Sequence, residues 1–254
     1  IIVRNSTLNE WMIIMVFGEN NEEEIKLFLD SLLKEFPIIT SLFYTINTKL
    51  NDTIYDLELV NYYGNDFMLE QLGDLKFKIR PKSFFQTNSY QAFALYQTAL
   101  DFADLQGTEN VYDFYCGTGT ITNFIAKKAK MAIGVEQIQQ AIDDAKENSE
   151  LNNITNTRFY VGDLKDVFTE EFVNKNGSPD VIFTDPPRAG MHDKVIKQIN
   201  ESGAKKVVYI SCNPATQARD LALMDAFYKV VKVRPVDMFP HTHHVENVVL
   251  LERR

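Results

Sequence analysis

From about Ser89 onward the chain alternates between short apolar runs and helical periods without a break, and this alternation limits the fold more than any other feature. The spacing predicts a helix over 90–105, a strand at 111–114 and a helix opening after Gly119. It then predicts strand 131–135, helix 137–151, strands 158–161 and 181–184, a helix near 194–202 and strand 206–210, with a closing strand pair at 228–235 and 246–252. Strands joined through helices require crossover connections, so the expected architecture is α/β with a mainly parallel sheet. Ligands of such sheets sit beyond the carboxyl ends of the strands, at the point where strand order reverses.

Residues 1–80 read differently. An apolar run at 11–17 is a strand. Asn21 before Glu22, Glu23 and Glu24 supplies a helix cap and negative charge at the positive dipole end. Ile25, Leu29, Leu32, Leu33 and Phe36 then recur at helical spacing, and Pro37 follows. Runs at 40–46, 55–62 and 75–79 read as strands, with Gly64 and Gly73 as punctuation. The expectation is a small α+β domain over 1–80 ahead of a larger domain over 81–254.

Charge narrows the class of partner. The 254 residues carry 26 Lys and Arg against 35 Asp and Glu, a net −9, so bulk positive charge cannot be the whole basis of any grip on nucleic acid. Residues 1–80 hold 7 basic against 13 acidic side chains. Cys116 and Cys212 are too far apart in sequence to suggest a disulfide scaffold or a zinc module. No apolar run approaches membrane-spanning length and no signal peptide opens the chain, so a cytoplasmic protein without membrane contact is expected. The opening Ile1-Ile2-Val3, without methionine, reads as part of something longer.

The residues with chemical potential fall at predicted strand ends. Asp113-Phe-Tyr-Cys-Gly-Thr-Gly119 joins a strand to a helix, where glycines let the backbone approach a ligand. Thr122 stands where a dinucleotide fingerprint would place its third glycine. Glu136 ends the next strand, suited to ribose hydroxyls, and Asp163 ends the one after, suited to an adenine amino group. Three acids at three strand ends argue for a nucleoside cofactor against a bare glycine turn, and the incomplete glycine pattern favours S-adenosylmethionine over NAD. In Thr184-Asp-Pro-Pro-Arg-Ala-Gly190 the two prolines stiffen the backbone behind Asp185. Cys212, in Ile210-Ser-Cys-Asn-Pro-Ala-Thr216, ends a strand before a helix, whose N-terminus would lower the thiol pKa. Cys116 reads as packing within the glycine loop. His241, His243 and His244 invite a metal reading, but their spacing fits no common site, and no metal is expected. Glu246, at a strand entrance, is the better candidate, as a general base rather than a solvated glutamate.

Together these motifs resemble the RNA uracil-5-methyltransferase family. Ser83-Phe-Phe-Gln-Thr-Asn88, the 113–119 loop, Asp185-Pro-Pro-Arg188, Ser211-Cys-Asn-Pro214 and His244-Val-Glu246 carry the resemblance over 80–254, while 1–80 looks like the family's central segment. It implies a Rossmann-like class I methyltransferase domain over 81–254, behind a small RNA-contacting α+β domain. It further implies that Gln86, Tyr115, Glu136, Asp163 and Asp185 contact S-adenosylmethionine, with Gln86 and Asp185 also near the target base. Cys212 would be the nucleophile that adds to uracil C6, and Glu246 the base that removes the C5 proton. The substrate implied is RNA, ribosomal first and transfer RNA second, handled by a monomer. A cytosine-5 methyltransferase and a cofactor-binding RNA-associated protein without turnover are the alternatives. The family's usual N-terminal β-barrel and the iron–sulfur cysteines of many members are not in this sequence, and Thr120 stands where members often have Asn.

Overall fold

The computed structural model describes all of residues 1–254, in two compact units, Ile1–Phe85 and Gln86–Arg254.

The first unit holds β1 (Ile2–Asn5), β2 (Trp11–Phe17), α1 (Glu22–Glu35), β3 (Ser41–Ile46), β4 (Val60–Gly64), β5 (Met68–Leu72) and β6 (Leu75–Ile79). Strands β1 to β4 form a sheet in sequence order, with β2 and β3 parallel around the α1 crossover and the outer pairs antiparallel. The period of two along β2 divides the core. Met12 and Ile14 face one cluster with Phe43, Met68 and Ile79, while Ile13 faces the other with Ile25 and Leu29 of α1. Asn21 caps α1 by accepting from the Glu24 N–H.

Two local expectations change. Residues 55–59 are not strand, because the Leu57 N–H closes a turn on the Ile54 carbonyl at 3.1 Å and pairing with β3 starts only at Val60. The hairpin partner β5 was hidden in sequence by Glu70, whose buried carboxylate takes the place of an apolar residue between Met68 and Leu72 and accepts the Thr7 N–H at 3.0 Å.

The second unit runs α2 (Ser89–Ala103), β7 (Asn110–Phe114), α3 (Thr120–Ala126), β8 (Met131–Glu136), α4 (Gln139–Leu151), β9 (Thr157–Val161), α5 (Leu164–Val167), α6 (Glu170–Asn176), β10 (Val181–Thr184), α7 (Asp193–Glu201), β11 (Lys206–Ser211), α8 (Pro214–Met224), β12 (Tyr228–Val236) and β13 (Glu246–Arg253). Its seven-stranded sheet has the order β12-β13-β11-β10-β7-β8-β9. The five strands from β11 to β9 are parallel, and β13 runs antiparallel to both β11 and β12. The chain steps outward from β7 to β9, then returns to place β10 on the other side of β7. That reversal is the switch point of the sheet, beyond Phe114 and Thr184, where α/β sheets form their ligand crevice. Because β13 is antiparallel, its first residue, Glu246, falls at the same edge as the last residues of the parallel strands. Tyr112, Phe114, Ile182, Val207 and Tyr209 are fully buried in the core beneath that edge.

Candidate active site

The glycine loop after β7 is shaped for close backbone approach. Tyr115 adopts a left-handed φ of 62°, uncommon for a residue with a side chain, and Gly117 and Gly119 follow at 52° and 77°. A Cβ on Gly119 would lie 2.9 Å from the Ala145 Cβ, so glycine there allows α3 to settle against α4. Cys116 is buried, and a Cβ on Gly134 would come 2.8 Å from its sulfur, so the thiol fills the gap beneath the loop. Burial pushes that thiol's pKa well up.

Glu136 closes β8 with its carboxylate oriented by backbone. One oxygen accepts the Gly117 N–H at 3.3 Å, and the other accepts those of Gln137 and Ile138 at 2.8 and 3.1 Å. Asp163 is exposed and caps α5, accepting the Lys165 N–H at 3.2 Å and pairing with the Lys165 ammonium at 2.8 Å. The bond to Lys165 holds its pKa below the usual carboxylate value.

Beneath the loop, Asp113 is fully buried. One oxygen accepts the Thr122 hydroxyl at 2.5 Å and the other has no partner in the protein. Burial pushes its pKa up to about 7. A sealed carboxylate oxygen without a donor, under bare glycine backbone and beside Glu136, suits a nucleoside ligand with a cationic tail. In sequence Asp113 is legible as the first of three strand-end acids, whereas its burial and its unpartnered oxygen are not.

On the other side of the crevice, the Asp185 N–H donates to the Phe114 carbonyl at 3.4 Å. Burial, followed by the nearby Glu246 and Asp113 carboxylates, raises the Asp185 pKa well above the ordinary value. Ser211 of β11 pairs with Asn247 of β13, so one further step of that register sets Cys212 opposite Glu246. Glu246 is buried, and burial raises its pKa to about 7. Cys212 is half-buried. Its thiol pKa is raised by burial, then by Glu246 and Asp185, with Arg188 acting the other way. The sequence expectation of a lowered thiol pKa therefore does not hold. Cys212 lies one residue ahead of the cap, and Asn213 fills the helix terminus by accepting the Ala215 N–H at 3.2 Å.

Gln86 is buried just before α2, and Asn88, which caps α2, donates to the Met238 carbonyl at 3.0 Å, in the segment leading to Glu246. Tyr96 of α2 is a residue that sequence reasoning passed over. It is buried, its ring packs on Phe124 at 5.6 Å, and Asp185, Glu246 and Asp113 all act on its hydroxyl, raising its pKa after burial has already done so. As one helical aromatic among many, it carried no signal in the sequence. No group of three or more His, Cys, Asp or Glu side chains is placed to hold a metal ion. No helix is long and apolar enough to cross a membrane.

The tRNA (uracil-5-)-methyltransferase profile matches residues 62–254. The chain belongs to that family. It is 55% identical, over its whole length and 57% of the relative, to a protein of Bacteroides thetaiotaomicron described as an uncharacterized RNA methyltransferase. Among solved structures it is similar to the Pyrococcus abyssi tRNA (uracil-54, C5)-methyltransferase in complex with S-adenosyl-L-homocysteine. That match has a TM-score of 0.80 and 33% identity, and it covers 98% of this chain and 58% of the other. The M. jannaschii tRNA m1G37 methyltransferase, at 12% identity and TM-score 0.64 over 99% of this chain and 74% of its own, shares the fold alone. The uracil-5-methyltransferase family member described here thus has the Rossmann-like architecture of class I methyltransferases. It spans about half the length of the curated relatives it matches.

Proposed function

We propose that this chain carries the catalytic portion of an enzyme that methylates C5 of a uridine in RNA through a covalent bond between Cys212 and C6. The observation that carries the reading is the placement of Cys212 opposite Glu246 at the rim, with Asp185 beside them. S-adenosylmethionine, when bound, supplies the methyl group. Asp113, Tyr115 and the 117–119 backbone would hold its methionyl end. Glu136 would accept from the ribose and Asp163 from the adenine amino group, and Gln86 and Asp185 would contact both the cofactor and the target base.

Uracil C5 is a poor nucleophile, and the residues remedy this in sequence. The Cys212 thiolate adds at C6, and the electron pair of the C5–C6 double bond moves through C4 onto O4. C5 of the resulting enolate is then the carbon nucleophile to which S-adenosylmethionine would supply its methyl group, the methyl–sulfur bond breaking with its electron pair left on sulfur. Glu246 then takes the C5 proton, the C5–C6 double bond re-forms, and the Cys212 thiolate leaves. A carboxylate with a pKa near 7 is matched to accepting that proton at neutral pH. Arg188 offsets part of the negative charge around the sulfur. A base reached this way must be unstacked, so the substrate is a loop or a flipped nucleotide, in ribosomal or transfer RNA. The first unit exposes Tyr55, Tyr63 and Phe84, flat surfaces on which unpaired bases can stack, and is assigned the RNA-contacting role.

Labelled S-adenosylmethionine with uridine- or cytidine-containing RNA tests the reaction. Label is expected in 5-methyluridine, and label in cytidine, or none, would reject the reading. RNA carrying 5-fluorouridine should trap a covalent adduct, since fluorine cannot leave C5 as a proton. Cys212→Ala should abolish the adduct and Cys116→Ala should not.

A further inference from the structure

Helix α8, which begins just after Cys212, has an unusual buried stripe. Its inward residues are Gln217, Asp220 and Met224, with Gln217 and Asp220 at 1% and 0% exposure. A buried amide and carboxylate cost desolvation that an apolar pair would avoid, so their partners hold the explanation.

Those partners lie on every element that carries a proposed catalytic group. In the first turn, the Asn213 amide and the Thr216 hydroxyl both donate to the Arg188 carbonyl, at 3.1 and 3.2 Å. Next, the Gln217 amide donates to the carbonyls of Tyr209 and Asn247 at 3.0 and 3.1 Å, and its oxygen accepts the Asn247 amide at 2.7 Å. Asn247 adjoins Glu246. One turn further, the Asp220 carboxylate accepts the Met191 N–H at 2.8 Å and the Tyr209 hydroxyl at 2.7 Å, and pairs with Arg219 at 2.6 Å. Arg219 in turn donates to the Ala189 carbonyl at 3.0 Å. The turn fits so closely that a Cβ on Gly190 would lie 2.6 Å from the Arg219 guanidinium and 2.7 Å from the Asp220 carboxylate. Positions 213, 216–217 and 220 follow the helical repeat, so one face of α8 grips the 185–191 loop, the end of β11 and the start of β13 together.

We propose that α8 is the frame that sets Cys212, Glu246 and the Asp185–Arg188 turn against one another, with Gln217 and Asp220 as its positioning residues. The inference rests on the roles assigned above to Cys212 and Glu246. Glu136 ends β8 and Asp163 caps α5 just after β9, on the far side of β7, and none of the α8 bonds reaches them. The frame therefore governs the nucleophile and base, and reaches the cofactor contacts only through Asp185.

Gln217→Met, which keeps the length of the side chain and removes its three hydrogen bonds, is the main test, with Asp220→Asn as the second variant. Three quantities are read in folded protein: affinity for S-adenosylhomocysteine by calorimetry, the rate of adduct formation with 5-fluorouridine RNA, and the pH dependence of Cys212 alkylation by iodoacetamide. Small misplacements of reacting groups cost up to about a hundredfold, so an adduct rate lowered at least about tenfold is expected, with S-adenosylhomocysteine affinity lowered by a clearly smaller factor. The alkylation profile should move to lower pH, as the thiol escapes burial, Glu246 and Asp185. Unchanged adduct rate and profile, or parallel loss of cofactor affinity, would overturn the proposal, as would failure of both variants to fold. A wild-type chain that forms no adduct would reject the proposed chemistry, while the alkylation profile would still decide whether α8 sets the surroundings of Cys212.

Discussion

Glu246 and Asp113 are carboxyl groups driven towards neutrality by burial, and they make different predictions. If Glu246 removes the C5 proton, Glu246→Gln still permits thiolate addition and methyl transfer, but elimination stalls. A methylated RNA–protein adduct should then accumulate with ordinary uridine and be visible on denaturing gels. Loss of a general base costs about 10²–10⁴ in rate, so the trapped species should decay slowly. Turnover like that of wild type, with no shifted band, would place the base elsewhere. For Asp113 the observable is stability. Its folded pKa, about 7, lies above the ordinary carboxylate value, so between those values the native state binds more protons than the unfolded chain. Its share of stability is present at low pH and is lost as pH rises towards 7. Asp113→Asn should flatten the decline of melting temperature across that window. Asp185 and Glu246 are raised in the same sense and leave a residual slope. Parallel wild-type and variant curves would contradict the assignment.

At the scale of elements, legibility depended on whether a pattern stayed periodic. Helix α1 was readable because its cap, first-turn acids and apolar stripe agree. Strand β5 was not, because Glu70 breaks its apolar alternation and is satisfied by Thr7, distant in sequence. Gly64 was read as punctuation, and the reason lies in β4. Its φ is +76°, and a Cβ there would come 1.9 Å from the Thr40 carbonyl oxygen, beside the β3 pairing. A left-handed residue with a Cβ costs about 1–2 kcal/mol before any clash is counted. Gly64→Ala should therefore destabilise the first unit by at least that much, with hydrogen exchange accelerated in β3 and β4. Exchange rates unchanged there would show that the strand end yields without cost.

For the molecule as a whole, charge sets the terms of RNA binding. With 26 basic against 35 acidic side chains, few phosphates can be neutralised, and each one neutralised adds a slope of about −0.7 in log affinity against log salt for a single strand. This chain should bind RNA weakly and lose that binding as salt rises. Affinity that is high and insensitive to salt would point to contacts other than phosphate. Alternation of strands and helices, the glycine loop and the strand-end acids were already legible in the amino-acid order, because each depends on neighbours within a few positions. The pairing of Cys212 with Glu246 was visible only as two motifs in the right order, and its geometry came from the antiparallel return of β13. Tertiary structure alone decided the protonation behaviour of Asp113, Asp185, Cys212 and Glu246, and the role of the polar stripe on α8. Burial and the field of charges brought together from distant parts of the chain set pKa values and hydrogen-bond partners, and no local pattern encodes either.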